Sequence, residues 1–319
     1  MTSVRTQTRW LREAVGVFLS DDRVVTARGE DADTWINGQV TADARRLSGS
    51  EAIYALAANT RGRILGDLWI RQIEDGVGLV LPNNCAESLL ESFDKHIIME
   101  DVELTPCPAL QVVTVQGPLS QRLWESLGND VDRYLAPRLG TSGFDLWLPT
   151  SSAAETIEAL AARASDLGGG QLDAAGWEFA HVALGVPRMG VDFGPDSYPQ
   201  EAGLEKRAVS FQKGCYQGQE AIYMLEKRGK LARRLVQLET LEATNALPGA
   251  PVTSTEDGKA LGTLTSVASA DAASSPTVAL AYLRSKAAEV GNEVACGEAT
   301  WRVRDVIRLT LAEGPSVAP

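Results

Sequence analysis

A pair of strand–helix motifs occurs twice in this chain, in the same order, and it narrows the fold more than any other feature. The first copy opens with residues 22–29, a β-branched run stopped by glycine. A helical stretch carrying Trp35 and Ile36 follows, with Asp31 or Asp33 placed to cap it. The copy closes with residues 78–82, a strand stopped by proline, and a helix that aligns Ala86, Leu89, Leu90 and Phe93. The second copy opens with residues 112–117 and a helix bearing Trp124, and closes with residues 145–149. Its last helix aligns Ala153, Ile157, Leu160, Ala161 and Ala164 and ends at the glycines 168–170. Both openings read Val-Val-Thr-x-x-Gly. Apolar residues at these spacings bury one stripe of a helix, and their recurrence predicts a duplicated α+β unit.

Between the motifs of the first copy, residues 52–58 and 63–70 are apolar runs joined by a polar turn containing Gly62, a hairpin with Asn59, Arg61 and Arg63 at its tip. Residues 1–20 read as a polar arm followed by a short apolar segment at 15–19. Residues 173–185 predict a helix capped by Asp173, with Trp177, Ala180, His181 and Leu184 on one face. Residues 186–212 are irregular and rich in Gly and Pro, yet apolar and aromatic, which marks a functional segment rather than a disordered one. From Leu231 the pattern changes to short alternating runs at 234–238, 262–266, 277–282 and 300–304, as in a small antiparallel barrel. Residues 268–275 read as a polar loop and 313–319 as a frayed tail. The expected division is 1–107 for a first α+β lobe, 108–230 for a second, and 231–319 for the barrel.

Composition removes several classes of function. A net charge of −12 over 319 residues argues against nonspecific nucleic-acid binding, which needs basic surface to displace counterions. The basic run from Lys227 to Arg234 reads as a solvated turn. No apolar run follows the opening residues and no stretch is long enough to span a bilayer, so neither secretion nor a membrane is expected. Cys85, Cys107, Cys215 and Cys296 are scattered without a CxxC pair, so no zinc site or disulfide framework is expected and a cytoplasmic location is. With only His96 and His181, each read as a helix-surface or core residue, a Ser-His-Asp triad has little support.

The stretch Lys213-Gly214-Cys215-Tyr216-Gln217-Gly218-Gln219-Glu220 concentrates chemistry that the rest lacks. It sets one thiol in a glycine-rich turn beside an amine, and a neighbouring cation favours the nucleophilic, metal-ligating thiolate. This motif resembles the signature of the YgfZ-like branch of the YgfZ/GcvT superfamily. Further matches lie at residues 29–32, 37–43, 59–63, 185–190, 199–203, 262–266 and 279–284.

The resemblance implies two related α+β lobes and a C-terminal antiparallel β-barrel around a central, folate-sized cavity that binds tetrahydrofolate. It also implies a part in assembling or repairing iron–sulfur clusters of client enzymes, including radical-SAM enzymes that modify tRNA. Cys215 would then be the reactive residue, or would hold a transient cluster together with ligands from a partner, and Lys213 would favour its thiolate. Gln219 and Glu220 would hydrogen-bond the loop or a ligand. Asn37, Asn59, Arg61, Arg63 and Asp67 are the expected folate contacts. The expected partners are folate and iron–sulfur client or assembly proteins, with no direct nucleic-acid contact.

The other branch of the superfamily holds folate-dependent aminomethyltransferases, with an Asp-Asp pair after the hairpin. Here Gly66 precedes Asp67, so one carboxylate is missing, and residues 140–143 replace a Thr-Gly-Glu segment. One-carbon transfer is therefore the alternative, and a protein-binding scaffold is a third reading.

Overall fold

A computed structural model describes residues 2–127, 132–269 and 276–310. The chain opens with α1 (Val4–Glu13) and β1 (Gly16–Ser20), then builds a first unit. That unit comprises β2 (Arg23–Arg28), α2 (Ala32–Gln39), β3 (Ala52–Ala58), β4 (Ile64–Ile73), β5 (Gly76–Leu81), α3 (Ala86–Asp94) and β6 (Glu103–Pro106). A second unit follows with β7 (Leu110–Gln116), α4 (Ser120–Glu125), β8 (Tyr134–Leu135), β9 (Gly143–Pro149), α5 (Thr150–Asp166) and β10 (Gly170–Gln171). The sheet orders are β3-β4-β5-β2-β6 and β10-β1-β7-β9-β8. In both, the opening strand pairs antiparallel with the strand that precedes the second helix (β2 with β5, β7 with β9). The repeated sequence motif is therefore a repeated strand pairing.

Period-two alternation gives each sheet a helix-covered outer face. In the first, Val25, Ala27, Leu68, Ile70, Leu79 and Leu81 pack under Trp35, Ile36, Leu89 and Phe93. In the second, Val113, Val115, Phe144 and Leu146 pack under Ile157, Leu160 and Ala164 of α5. The alternate residues, among them Val24, Tyr54, Trp69, Val80 and Val112, share a separate core with Met189 and Phe193 of the irregular segment. Two sheets thus turn their second faces toward the middle of the molecule.

After the lobes come α6 (Ala174–Leu184), α7 (Glu205–Ala208) and α8 (Gln219–Arg228). The barrel is formed by β11 (Arg233–Thr240), β12 (Pro251–Ser254), β13 (Ala260–Ala268), β14 (Thr277–Arg284), β15 (Glu293–Cys296) and β16 (Ala299–Val306). It closes in the order β11-β14-β13-β12-β15-β16 around the buried ring of Trp301. Asp173 caps α6 as expected, accepting from the Gly176 amide at 2.7 Å. Among the described residues no helix is long and apolar enough to cross a membrane. Residues 270–275 of the expected polar loop, and the expected tail at 313–319, lie outside the described residues.

Four local expectations are corrected. Residues 1–20 are not a simple arm: Val4–Glu13 is helical, N-capped by Ser3, and buries the mostly polar stripe Gln7, Thr8 and Leu11. Gln7 bonds Asp173 at both its amide ends, so a polar stripe does the docking that an apolar one usually does. β1 pairs with β7 and β10, and so completes the second sheet rather than the first. Asp31 stands at the N-cap of α2 without a side-chain cap bond, because its carboxylate accepts from the Asp101 amide at 2.8 Å. Lys227 and Arg228 form the last turn of α8, where positive charge complements the helix dipole, and are not a loop.

Candidate functional site

A cavity of about 630 Å³ lies between the two inner sheet faces. Phe18, Tyr54, Asp67, Trp69, Arg138 and Arg207 line it from the sheets and the segments beside them, and Trp177 and His181 from α6. Arg188, in the irregular segment after α6, completes that wall. Phe18 and Trp177 stack with ring centroids 4.7 Å apart, and Tyr54 tilts against Trp69 at 5.3 Å. Flat aromatic walls with a few fixed polar groups are the usual make-up of a small-molecule site.

Asp67 is the polar centre of this cavity. Its Oδ2 accepts from the Tyr54 hydroxyl at 2.7 Å, while its Oδ1 is buried and has no partner among the described residues. Burial raises its pKa to about 6, a rise that the Tyr54 hydrogen bond partly offsets and the nearby Asp22 reinforces. Tyr54, desolvated and beside that carboxylate, has its own pKa pushed well up and so remains the donor. At neutral pH Asp67 is therefore largely charged, and one of its oxygens is satisfied by no donor among the described residues.

Cations surround it. Arg138 donates to Asp145 through Nε and Nη2 (2.8 Å for Nη2) and to Asp22 through Nη1 at 2.7 Å. Burial works against its charge, but Asp145 and Asp22 more than offset this and hold its pKa above the ordinary arginine value. Arg207 donates to the carbonyls of Pro137 and Arg138, and its guanidinium lies 4.9 Å from the Tyr54 ring centroid. Burial lowers the His181 pKa to about 3, so the ring is neutral. Its Nδ1 lies 3.0 Å from the Val186 carbonyl, which can only accept, so Nδ1 carries the proton and Nε2 is an acceptor.

The residues expected at one site fall into two places. Of the five expected folate contacts, only Asp67 lines the cavity. Asn59 Oδ1 accepts from the Arg61 and Arg63 amides, so it holds its own hairpin turn. Arg63 donates to the Asp196 carbonyl and to Glu201, and its guanidinium lies 3.7 Å from the Tyr198 ring centroid. Asn37 Oδ1 accepts from the Ala44 amide. Arg61 is exposed at the hairpin tip.

The cysteine loop joins this hairpin instead of the cavity. Gly218 adopts φ +79°, and a Cβ there would lie 2.3 Å from the Asn59 carbonyl oxygen and 3.0 Å from Gly62 Cα. Tyr216 and Ile222 bury against Ala58. Lys213 is buried and donates to the carbonyls of Asn37, Val40 (2.9 Å) and Ala42 (2.7 Å). All three ammonium protons are thus engaged by main-chain oxygens, which makes Lys213 an anchor for the loop and not the expected partner of the thiol. Cys215 itself is exposed, Gln219 donates to the Gly214 carbonyl at 3.4 Å, and Glu220 is exposed in the first turn of α8. Among the described residues no group of three or more His, Cys, Asp or Glu side chains could hold a metal ion.

The cavity residues that the sequence did not point to are Phe18, Tyr54, Trp69, Asp22, Arg138, Arg188 and Arg207. Each comes from a different segment and acquires its role through burial. Besides Asp67, the Trp177–His181 face of α6 was visible beforehand, and it read as a core stripe.

Two α+β lobes with an aromatic, carboxylate-bearing cavity between them, followed by a closed barrel, make up the fold. The structure superposes on the glycine cleavage system aminomethyltransferase T from Bartonella henselae with a TM-score of 0.82. That likeness is one of fold, at 20% identity over 96% of this chain and 91% of that one. Residues 1–136 match the GCVT N-terminal domain family. The chain is 24% identical to the tRNA-modifying protein YgfZ of Yersinia pseudotuberculosis serotype O:1b (strain IP 31758), over 70% of each. It is 27% identical to an aminomethyltransferase of Mycolicibacterium paratuberculosis (strain ATCC BAA-968 / K-10), over 71% of this chain and 66% of that protein. The chain is thus similar, over its N-terminal part in sequence and over most of its length in fold, to proteins of the GcvT/aminomethyltransferase kind.

Proposed function

We propose that the central cavity binds a reduced folate and that the protein handles a one-carbon unit carried on it. The observation that carries this reading is the free Oδ1 of Asp67. A pterin ring presents adjacent N–H donors, for which a charged, desolvated carboxylate oxygen is a matched acceptor. Stacked and tilted aromatic rings supply flat apolar walls, and Arg188, whose buried Nε makes no hydrogen bond among the described residues and lies 4.0 Å from Asp192 Oδ2, supplies positive charge. When bound, a reduced folate supplies the nitrogens that accept or release the one-carbon unit. The chain's own contribution is to orient it through Asp67 and Tyr54 and to limit water around it. A likeness to a relative named aminomethyltransferase favours this reading.

Calorimetric titration with tetrahydrofolate tests it, with Arg61→Ala as a contrast. Wild type and Arg61→Ala should bind equally, because Arg61 is at the hairpin tip and outside the cavity. Failure of the wild type to bind removes the folate reading. A severalfold loss in Arg61→Ala moves the site to the hairpin. A turnover assay with tetrahydrofolate and an aminomethylated carrier protein then separates a transfer enzyme from a binding factor.

A second reading rests on the exposed thiol. Cys215 sits on a loop held rigid by the three carbonyl bonds of Lys213 and by the close approach of Gly218 to the hairpin. Such a thiol is open to a partner protein, and a partner's ligands could complete an iron–sulfur cluster that one cysteine cannot hold. In this reading the protein supports iron–sulfur enzymes, including those that modify tRNA, as the name of the Yersinia relative suggests. Cys215→Ser should then fold normally and fail to restore a dependent [4Fe-4S] enzyme in a deletion strain. Full rescue excludes a role for the thiol and leaves a scaffold acting by protein contacts.

A further inference from the structure

A second cavity, of about 650 Å³, lies between the barrel and residues 190–197. Arg233 on β11 and Arg284 on β14 both line it, with Thr263 and Thr265 of β13 beside them. Arg233 and Arg284 are directly opposite one another in the antiparallel ladder, so their side chains leave the same face. Like charges in that arrangement repel and destabilise the pair.

The carboxylates nearby do not balance them. Glu201 is shared between Arg63 and Arg233, and Asp196 pairs with Arg233 at 3.2 Å. Two guanidinium groups, of Arg63 and Arg233, thus take up both carboxylates, and the exposed Arg284 has no acidic partner among the described residues. Asp192 also lines the cavity, but its Oδ1 accepts from Thr265 and Ser266 and its Oδ2 from the Arg188 amide. Its charge is held by donors on the wall. The floor is built as well: the Arg233 guanidinium lies 4.3 Å from the Tyr282 ring centroid, and the Tyr282 hydroxyl is 3.2 Å from Ser197 Oγ.

Gly194 adds an independent observation. It is buried and lines the cavity, yet a Cβ built there meets no atom within 4 Å, and its φ is not in the left-handed region. Neither packing nor backbone conformation requires glycine there. A bare main chain facing open space suits the close approach of a ligand.

We infer that this barrel-side cavity is an oxyanion site, in which Arg284 and Arg233 bind the phosphate or carboxylate group of a small molecule. A guanidinium pair presents forked N–H donors to either group. The site is separate from the Asp67 cavity and does not depend on what that cavity binds.

Titration of the full chain with inorganic phosphate and, separately, with glutarate tests the inference. At least one should bind in the millimolar range or tighter, and the stronger of the two identifies the group as phosphoryl or carboxylate. Arg284→Gln should weaken that binding at least tenfold, and so should Gly194→Val, which fills the open space. Asp67→Asn should leave it unchanged, which separates this site from the folate reading. Arg284→Glu should abolish binding while raising the unfolding temperature, because it replaces a repulsive cross-strand pair with an attractive one. No binding of either anion at 10 mM overturns the inference, as does binding that survives both Arg284→Gln and Gly194→Val.

Discussion

Asp67→Asn is expected to make the protein more stable and a worse ligand binder at the same time. The carboxyl titrates near 3.8 in an unfolded chain and at about 6 in the folded one, chiefly because it is buried. The folded state therefore holds the proton more tightly, and the ionised group at pH 7 opposes folding. Two pH units correspond to roughly 2 kcal/mol after discounting for residual solvent contact. Asparagine removes this penalty and can still accept from Tyr54. Its Tm should rise by about 5 °C at pH 7, and the gain should shrink as pH falls through 6 and be mostly lost by pH 4, where the folded carboxyl is protonated and the unfolded one is approaching its pKa of 3.8. Tetrahydrofolate affinity should fall roughly 30-fold, the order expected for one hydrogen bond to a charged group. In the wild type, affinity should decline as pH drops through 6, and in Asp67→Asn it should be flat over that interval. Calorimetric titration at pH 7.5 and 5.5, beside thermal melts at pH 7 and 4, checks all four expectations. Equal affinity in the two proteins would exclude Asp67 as a ligand contact.

Arg138→Met should be the most destabilising single change in the cavity wall. Arg138 holds Asp22, in the link between β1 and β2, to Asp145 on β9. Removing it leaves two buried carboxylates unpaired, which costs about 3–5 kcal/mol. A Tm loss on the order of 10 °C follows for a chain of this size. The loss should come mainly from the orphaned charges and not from missing contact. Adding Asp22→Asn and Asp145→Asn to Arg138→Met should therefore recover more than half of it. A triple variant no more stable than Arg138→Met would show that the guanidinium acts through packing alone. Asp22 tightens the test, since burial already raises its pKa despite Arg138.

Much of the fold was legible in the sequence because it rests on short-range pattern. Residues 78–82 and 145–149 announce β5 and β9 by apolar runs ended with proline, and Ala153, Ile157, Leu160 and Ala164 announce α5 by spacing. The helix α1 was not legible, because Gln7 and Thr8 are buried by hydrogen bonding and carry no apolar signal. Nor were β12 and β15, four residues each, which are strands only because the barrel needs them to close. The site divides along the same line. Lys213, Cys215 and Gly218 lie within six residues of one another, so composition alone draws attention to them. Asp67, Tyr54, Arg138, Trp177 and Arg188 span more than a hundred residues, and nothing in the chain's local order brings them together. Asp67 was reached only through resemblance.

β1 carries a consequence for how the molecule is made. It is added edge to edge between β7 and β10, and the second of these ends at Gln171, some 150 residues later. A ribosome that adds about 5–20 residues per second needs on the order of ten to thirty seconds to deliver that partner. Its longer ladder, to β7, becomes available once Gln116 has been made, so Gly16-Val-Phe-Leu-Ser20 waits unpaired for about the first two thirds of that interval. The nascent chain must therefore keep an apolar strand unpaired while the first sheet is already able to form. Vectorial synthesis thus completes the first sheet before the second can take up its N-terminal strand.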